Sequence, residues 1–247
     1  MLKFRPVSIA FLIGLIIFFC FQSVYNLSYW YCVFWILLFL IVQFFGAYFI
    51  GLNFHLNSVN SIVTNDKKVL LTFDDGPHNP NTVRVLEVLK KHNVKAIFFV
   101  IGKNIKGNEA ILKQLVADGH QIGNHSFSHH HWIDVWSTKK VTDDFANCNE
   151  LIQQYQSSKL FRPPYGVTNP NIAQAVKLLQ LKSIGWNIRS YDTSIKDIEK
   201  IKLRILSKLK PGAIVLLHDR LDFMPELLET LIPAIKEKGY DISNSRI

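Results

Sequence analysis

Two adjacent carboxylates, Asp74 and Asp75, close the apolar run 69–73, and Gly76-Pro77 turns the chain directly after them. At a strand end both side chains can be aimed at one site with different work, one holding a metal and the other taking a proton. Downstream, His125-Ser126-Phe127-Ser128-His129 sets two imidazoles at i and i+4, the spacing of neighbours on one helical turn. Two histidines and a carboxylate form a donor set for zinc or another divalent transition metal that leaves positions open for water and substrate. Ser126 stands where a HExxH metalloprotease helix needs glutamate. Arg162 precedes two prolines that fix the backbone, so its guanidinium can be held against a carboxylate. His218 follows the apolar run 213–217, where an imidazole can act as a general acid near neutral pH.

Each of these has a plainer use. Asp, Gly and Pro form ordinary turns, and the histidine run continues through His130 and His131 as a solvated loop would. Arg162 could make a surface ion pair worth little, and His218 could sit in a core. Placement decides between the two uses. Short apolar runs at 69–73, 96–102, 120–125, 160–164, 183–188 and 213–219 read as strands. Between them, 81–92, 108–119, 139–156, 171–180 and 198–209, with 224–239 after the last, carry apolar residues at helical spacing. Strict alternation predicts an α/β fold, a parallel sheet or barrel with crossover helices. In such folds chemistry collects where strands run into the following loops. Asp74 and Asp75 end the first run, His125 and His129 follow the third, and Arg162 to Gly166 end the fourth. Asp192 follows the fifth and His218 closes the sixth.

The composition divides the chain. After Arg5 the next Asp, Glu, Lys or Arg is Asp66, so residues 6–65 carry no such charge, which excludes a plain soluble protein. Runs 7–25 and 30–51 are each long enough for a transmembrane helix, which needs about 20 apolar residues. Lys3 and Arg5 also suit the basic start of a signal peptide, but no small-x-small cleavage site follows. We expect a two-helix anchor with linker over 1–65 and a catalytic domain over 66–247. Lys3, Arg5, Lys67 and Lys68 flank the pair while the turn at 26–29 is uncharged, which by the positive-inside rule puts the domain on the cytoplasmic side of a bacterial cell membrane. From Asp66 onward 26 basic residues face 19 acidic ones in no concentrated block, so no nucleic-acid partner is demanded. With three cysteines, two of them in the apolar runs, no disulfide framework or Cys-rich zinc site forms in the domain.

The motifs TFDDGP (72–77), HSFSH (125–129), RPPYG (162–166) and LLHD (216–219) resemble, in order, those of the polysaccharide deacetylase family, the NodB homology domain of carbohydrate esterase family 4. The resemblance covers nearly all of 68–240. It implies a distorted (β/α) barrel of NodB-like type and metal-dependent removal of N-acetyl groups from the amino sugars of a polysaccharide or lipid-linked glycan, releasing acetate. It implies that Asp75, His125 and His129 bind the metal, zinc foremost, with manganese, cobalt, nickel or iron accepted by the same donors. It implies Asp74 as general base, Arg162 as its positioning partner, the Tyr165 backbone N–H as an oxyanion donor and His218 as general acid. Where the family shows Asp-x-x-Asp-Trp, this chain has Arg189-Ser190-Tyr191-Asp192-Thr193, keeping Asp192 to pair with His218 and losing the tryptophan wall. A deformylase or other deacylase of a lipid-linked sugar, or a silent glycan-binding module, would carry the same motifs. The expected partners are an N-acetylated glycan or lipid-linked sugar and the bilayer, with no obligate protein partner.

Overall fold

The computed structural model describes residues 2–242, so the last five residues of the expected domain lie outside it. Two helices, α1 (Phe4–Tyr25) and α2 (Trp30–Tyr48), come first, followed by β1 (Ser58–Val59), β2 (Val69–Asp74), α3 (Asn81–Lys91), β3 (Ile97–Val100) and α4 (Glu109–Ala117). The chain continues with β4 (Gln121–Asn124), α5 (Thr138–Gln153), β5 (Leu160–Phe161), α6 (Pro170–Leu178) and β6 (Lys182–Ile184). It ends with β7 (Ile188–Arg189), α7 (Ile198–Ser207), β8 (Ala213–His218) and α8 (Met224–Glu237).

The eight strands are all parallel in the order β1-β6-β5-β4-β3-β2-β8-β7. From β2 onward the alternation of strand and helix breaks once. The expected strand 183–188 is two strands, β6 and β7, that lie near opposite ends of this order with no helix between them. Ile184 and Ile188 are joined by at most about 14 Å of extended chain, so the sheet must curl until its two edges approach. The outcome is the expected distorted barrel, left open because β1 and β7 share no ladder.

Alternation along the strands sorts the core. On β2, Val69, Leu71 and Phe73 pack under the helices, whereas Leu70 joins Ile97, Phe99, Leu160, Ile184 and Ile214 inside the barrel. Side chains two apart share a face, which puts Thr72 and Asp74 on the inner face with Leu70. The same parity on β8 puts Ile214 and His218 inside. In the parallel register Asp74 is the partner of His218, so two titratable groups reach the barrel's C-terminal end side by side.

The segment read as linker contributes more than expected. Ser58 and Val59 pair with Ser183 and Ile184, and Leu56 joins the buried cluster that includes Phe145 and Phe161. Two residues are too few to show a period, so this strand leaves no trace in the hydrophobic pattern.

The helices α1 and α2 are long and apolar enough to cross a membrane, and only 6% of the apolar stretch in each is buried, unlike a core helix. Phe11 packs between them with its ring centre 4.5 Å from that of Trp35 and 4.7 Å from that of Phe39. Their open end is tied to the domain: the Phe4 N–H donates to the Phe54 carbonyl at 3.1 Å, and the Thr168 N–H to that of Ala47 at 3.0 Å.

Candidate metal and catalytic site

The strand ends converge on a cavity of about 490 Å3 lined by Asp74, Asp75, His125, His129, Tyr165 and His218, with Trp186, Arg189, Thr193 and Arg220 beside them. A larger cleft of about 840 Å3 lies where α1 meets the domain, and it collects Lys3, Arg5, Lys177 and Lys182 but none of these acids or strand-end histidines.

Asp75 leaves the strand with φ +76°, a left-handed conformation that L residues disfavour. That twist lets consecutive carboxylates share one cavity although a continuing strand would point them apart. The histidines do not lie on a helical turn as their spacing predicts. They sit in a loop after β4, with φ +67° at Ser126 and +45° at His129. Hydrogen bonds shape it: Asp144 on α5 accepts from the N–H groups of Phe127 at 2.9 Å and Ser128 at 3.1 Å, and Asn124 accepts from Ser126 at 2.8 Å. His130 and His131 stack on each other and stay out of the cluster.

Asp75, His125 and His129 each offer a ligand atom, all within 4.8 Å of one another. Asp75 Oδ1 is 3.7 Å from His125 Nε2 and 3.4 Å from His129 Nε2. Atoms that share a metal at about 2.0–2.2 Å sit roughly 3.3 Å apart, so the set fits a divalent ion after small adjustments. The orientations fit as well. His125 Nδ1 donates to the Arg162 carbonyl at 2.8 Å, which turns Nε2 towards the cavity. Burial, then the charge of His125, pushes His129 down to about 4, leaving its imidazole neutral. Burial alone would raise Asp75, but the charges of His125 and His218 and a 2.8 Å bond from Arg220 Nε outweigh it and hold the carboxyl below its usual range.

Arg162 is fully buried and every nitrogen is used. Nε donates to the Ile184 carbonyl at 3.0 Å, one terminal nitrogen to Gly185 at 2.8 Å, and the other to Thr72 Oγ1 and Asp74 Oδ1, both at 2.8 Å. Thr72 passes its own proton to the Val215 carbonyl at 2.7 Å. The guanidinium, 4.2 Å from the Phe99 ring centre, therefore bridges the curled sheet from β2 to the β6 edge and aims Asp74 into the cavity. Asp74 Oδ2 is left 3.8 Å from His125 Nε2. The strand expected over 160–164 stops at Phe161, because Pro163 and Pro164 have no N–H for a ladder.

His218 is clamped by Asp192, whose Oδ1 meets Nδ1 at 2.8 Å and whose Oδ2 accepts the His218 N–H at 2.9 Å. Burial would lower this imidazole, but the hydrogen bond and charge of Asp192 prevail and raise it. Tyr165 has φ +60° and lays its ring 4.6 Å from that of His129. Gly166 beside it has φ +72°, and a Cβ there would meet the Trp186 ring at 2.3 Å, so only glycine lets this loop and tryptophan close one side of the cavity.

All eight residues predicted for the site are thus brought into this one region. Sequence reasoning missed Arg220, Thr72 and Asp144. The buried Asp144 on the apolar face of α5 was the visible signal; Arg220 follows the LLHD motif and carried none.

Residues 61–184 match the polysaccharide deacetylase family. The peptidoglycan-N-acetylglucosamine deacetylase PgdA of Listeria monocytogenes is 33% identical over 71% of this chain, which spans 37% of that relative's length. A chitooligosaccharide deacetylase of Bradyrhizobium is 30% identical over 73% of this chain and 90% of its own. Among solved structures, a carbohydrate esterase family 4 pseudoenzyme from Bacillus anthracis superposes with a TM-score of 0.69 at 31% identity, covering 75% of this chain and 66% of that one. With this match, these relatives and the fold in agreement, the chain belongs to the polysaccharide deacetylase family.

Proposed function

We propose that this protein is a membrane-anchored, metal-dependent hydrolase that removes N-acetyl groups from amino sugars of a glycan and releases acetate. The observation that carries the reading is the meeting of three metal donors, Asp75, His125 and His129, with an arginine-held Asp74 and an aspartate-held His218 in one cavity. A divalent metal at the three donors would polarise the acyl carbonyl and acidify a water. In our reading Asp74 takes the proton of the attacking water, and Arg162 holds its other oxygen so that Asp74 acts from one position. The Tyr165 N–H is the donor to the developing oxyanion. His218, kept protonated by Asp192, delivers a proton to the departing amine. Water and amide are consumed, and acetate and a free amino sugar are formed.

The exposed apolar faces of α1 and α2 support a bilayer anchor. The basic flanks of the pair support a cytoplasmic orientation, in which the substrate is a lipid-linked sugar or an intracellular glycan. A C-terminal reporter active only in the cytoplasm is expected. A reporter active only outside it overturns this orientation and moves the substrate to exported glycan, such as the peptidoglycan for which the Listeria relative is named.

The test is acyl release by the purified full chain from N-acetylglucosamine oligomers and from a lipid-linked N-acetyl sugar, with chelator and with added zinc. Acetate released only without chelator supports the reading, and formate released from a formylated sugar instead would change the acyl group but not the residues. A second reading, glycan binding without turnover, is prompted by the pseudoenzyme neighbour. Bound metal with no acyl release from any sugar would establish it over ours.

A further inference from the structure

Thr193 stands where the family pattern has a tryptophan, and its neighbours on the cavity wall are Trp186, just before β7, and Arg189, at its end. Arg189 lines the catalytic cavity with Trp186 and Thr193. Its guanidinium lies 6.0 Å from the Trp186 ring centre and 5.2 Å from that of Tyr191. Tyr191 holds φ +61°, a conformation disfavoured for a residue with a Cβ, and carries a second guanidinium, Arg204, at 4.2 Å from its ring. Arg204 Nε also donates to the Arg189 carbonyl at 2.9 Å. The stack of Trp186, Arg189, Tyr191 and Arg204 thus fixes a cation at the cavity by backbone and aromatic contacts, without a carboxylate.

The charge balance of the cavity points the same way. Of its three Lys and Arg side chains, Arg220 is paired with Asp75, while Lys103 and Arg189 have no carboxylate partner among the described residues. A neutral sugar would leave such a guanidinium with water. A carboxylate or phosphate would take two parallel charge-assisted hydrogen bonds from it.

We propose that the substrate sugar carries an oxyanion, carboxylate or phosphate, near the acylated amine, and that Arg189 is the residue that selects it, with Lys103 adding attraction across the cavity. This rests on the deacylase reading above and names its substrate class.

The test is calorimetric binding of N-acetylglucosamine, N-acetylmuramic acid and N-acetylglucosamine 1-phosphate to the full chain in detergent, for wild type, Arg189→Ala and Arg189→Lys. In the wild type at least one of the anionic sugars should bind about tenfold or more tighter than the neutral one, and that ratio should shrink as salt rises. Which one prevails tells carboxylate from phosphate. Arg189→Ala should bring the ratio close to one, and Arg189→Lys should recover part of it, since a point charge lacks the planar fork. A wild-type ratio near one, a ratio that survives Arg189→Ala, or binding of none of the three sugars overturns the inference. A ratio near one with acyl release intact sinks this inference alone. A clear ratio with no release from any sugar sinks the deacylase reading alone.

Discussion

The two sides of the catalytic cavity are built differently. On the side of the metal donors the charged groups are buried or half-buried and held from behind: Arg162 uses every nitrogen, His125 is aimed by a carbonyl, and the histidine loop hangs from Asp144. On the side of Arg189 and Tyr191 the groups are partly open to water, and they are held by ring faces and one backbone bond. Proton transfer and metal ligation tolerate little displacement, so the first side needs several restraints per group. Recognition of a substituent tolerates more, so the second side can change residue types without disturbing the first. The retained acids and histidines and the altered Arg189-to-Thr193 stretch follow this division.

The comparison breaks if the buried side does not respond more strongly to substitution. The largest effect is expected at His125: His125→Ala removes one of three metal donors and should abolish both stoichiometric metal binding and acyl release, checked by metal analysis and acetate assay. Arg162→Ala comes next. It leaves Asp74 buried without a counter-charge, which costs about 3–5 kcal/mol. Arg162→Lys should recover little, because one ammonium cannot reach Asp74, Thr72 and the two carbonyls together. Denaturant titration measures both.

At Asp192 the expected effect is a moved pH limb. His218 is raised because Asp192 outweighs burial, and it must be protonated to donate. The alkaline limb of kcat should therefore shift to lower pH in Asp192→Asn, with the acidic limb in place. Asp219 should give the smallest change. It is fully buried, its Oδ2 accepts from Thr82 at 2.7 Å while Oδ1 has no partner among the described residues, and burial pushes it up to about 7. A carboxyl whose folded value is raised favours the fold when protonated, so this contribution is lost as pH rises from about 4 towards 7. Asp219→Asn should flatten that slope in a stability–pH series and leave the protein more stable than wild type above pH 7.

Much of this was legible because it rests on short-range patterns. Strands such as Val69–Asp74 and Ala213–His218 show as apolar runs, helices such as α3 and α8 show their period, and each motif falls where a run ends. The alternation Leu70, Thr72, Asp74 even gives the face on which Asp74 sits. What stayed hidden depends on contacts distant in sequence. The two-residue strand β1 exists only through its pairing with β6. The β6–β7 break at Gly185 to Asn187 follows from sheet closure, not from local propensity. The His125–His129 loop takes its left-handed turns from bonds to Asn124 and Asp144, so its i, i+4 spacing misled as to conformation while still naming two histidines that the fold brings together.

The most direct test of the account is Asp74→Asn, measured for metal binding and acyl release in the same samples. The variant keeps Asp75, His125 and His129 and loses only the proton acceptor. The account predicts one metal per chain, as in the wild type, with acetate release reduced by about 10²–10⁴-fold. Release close to the wild-type rate would contradict it.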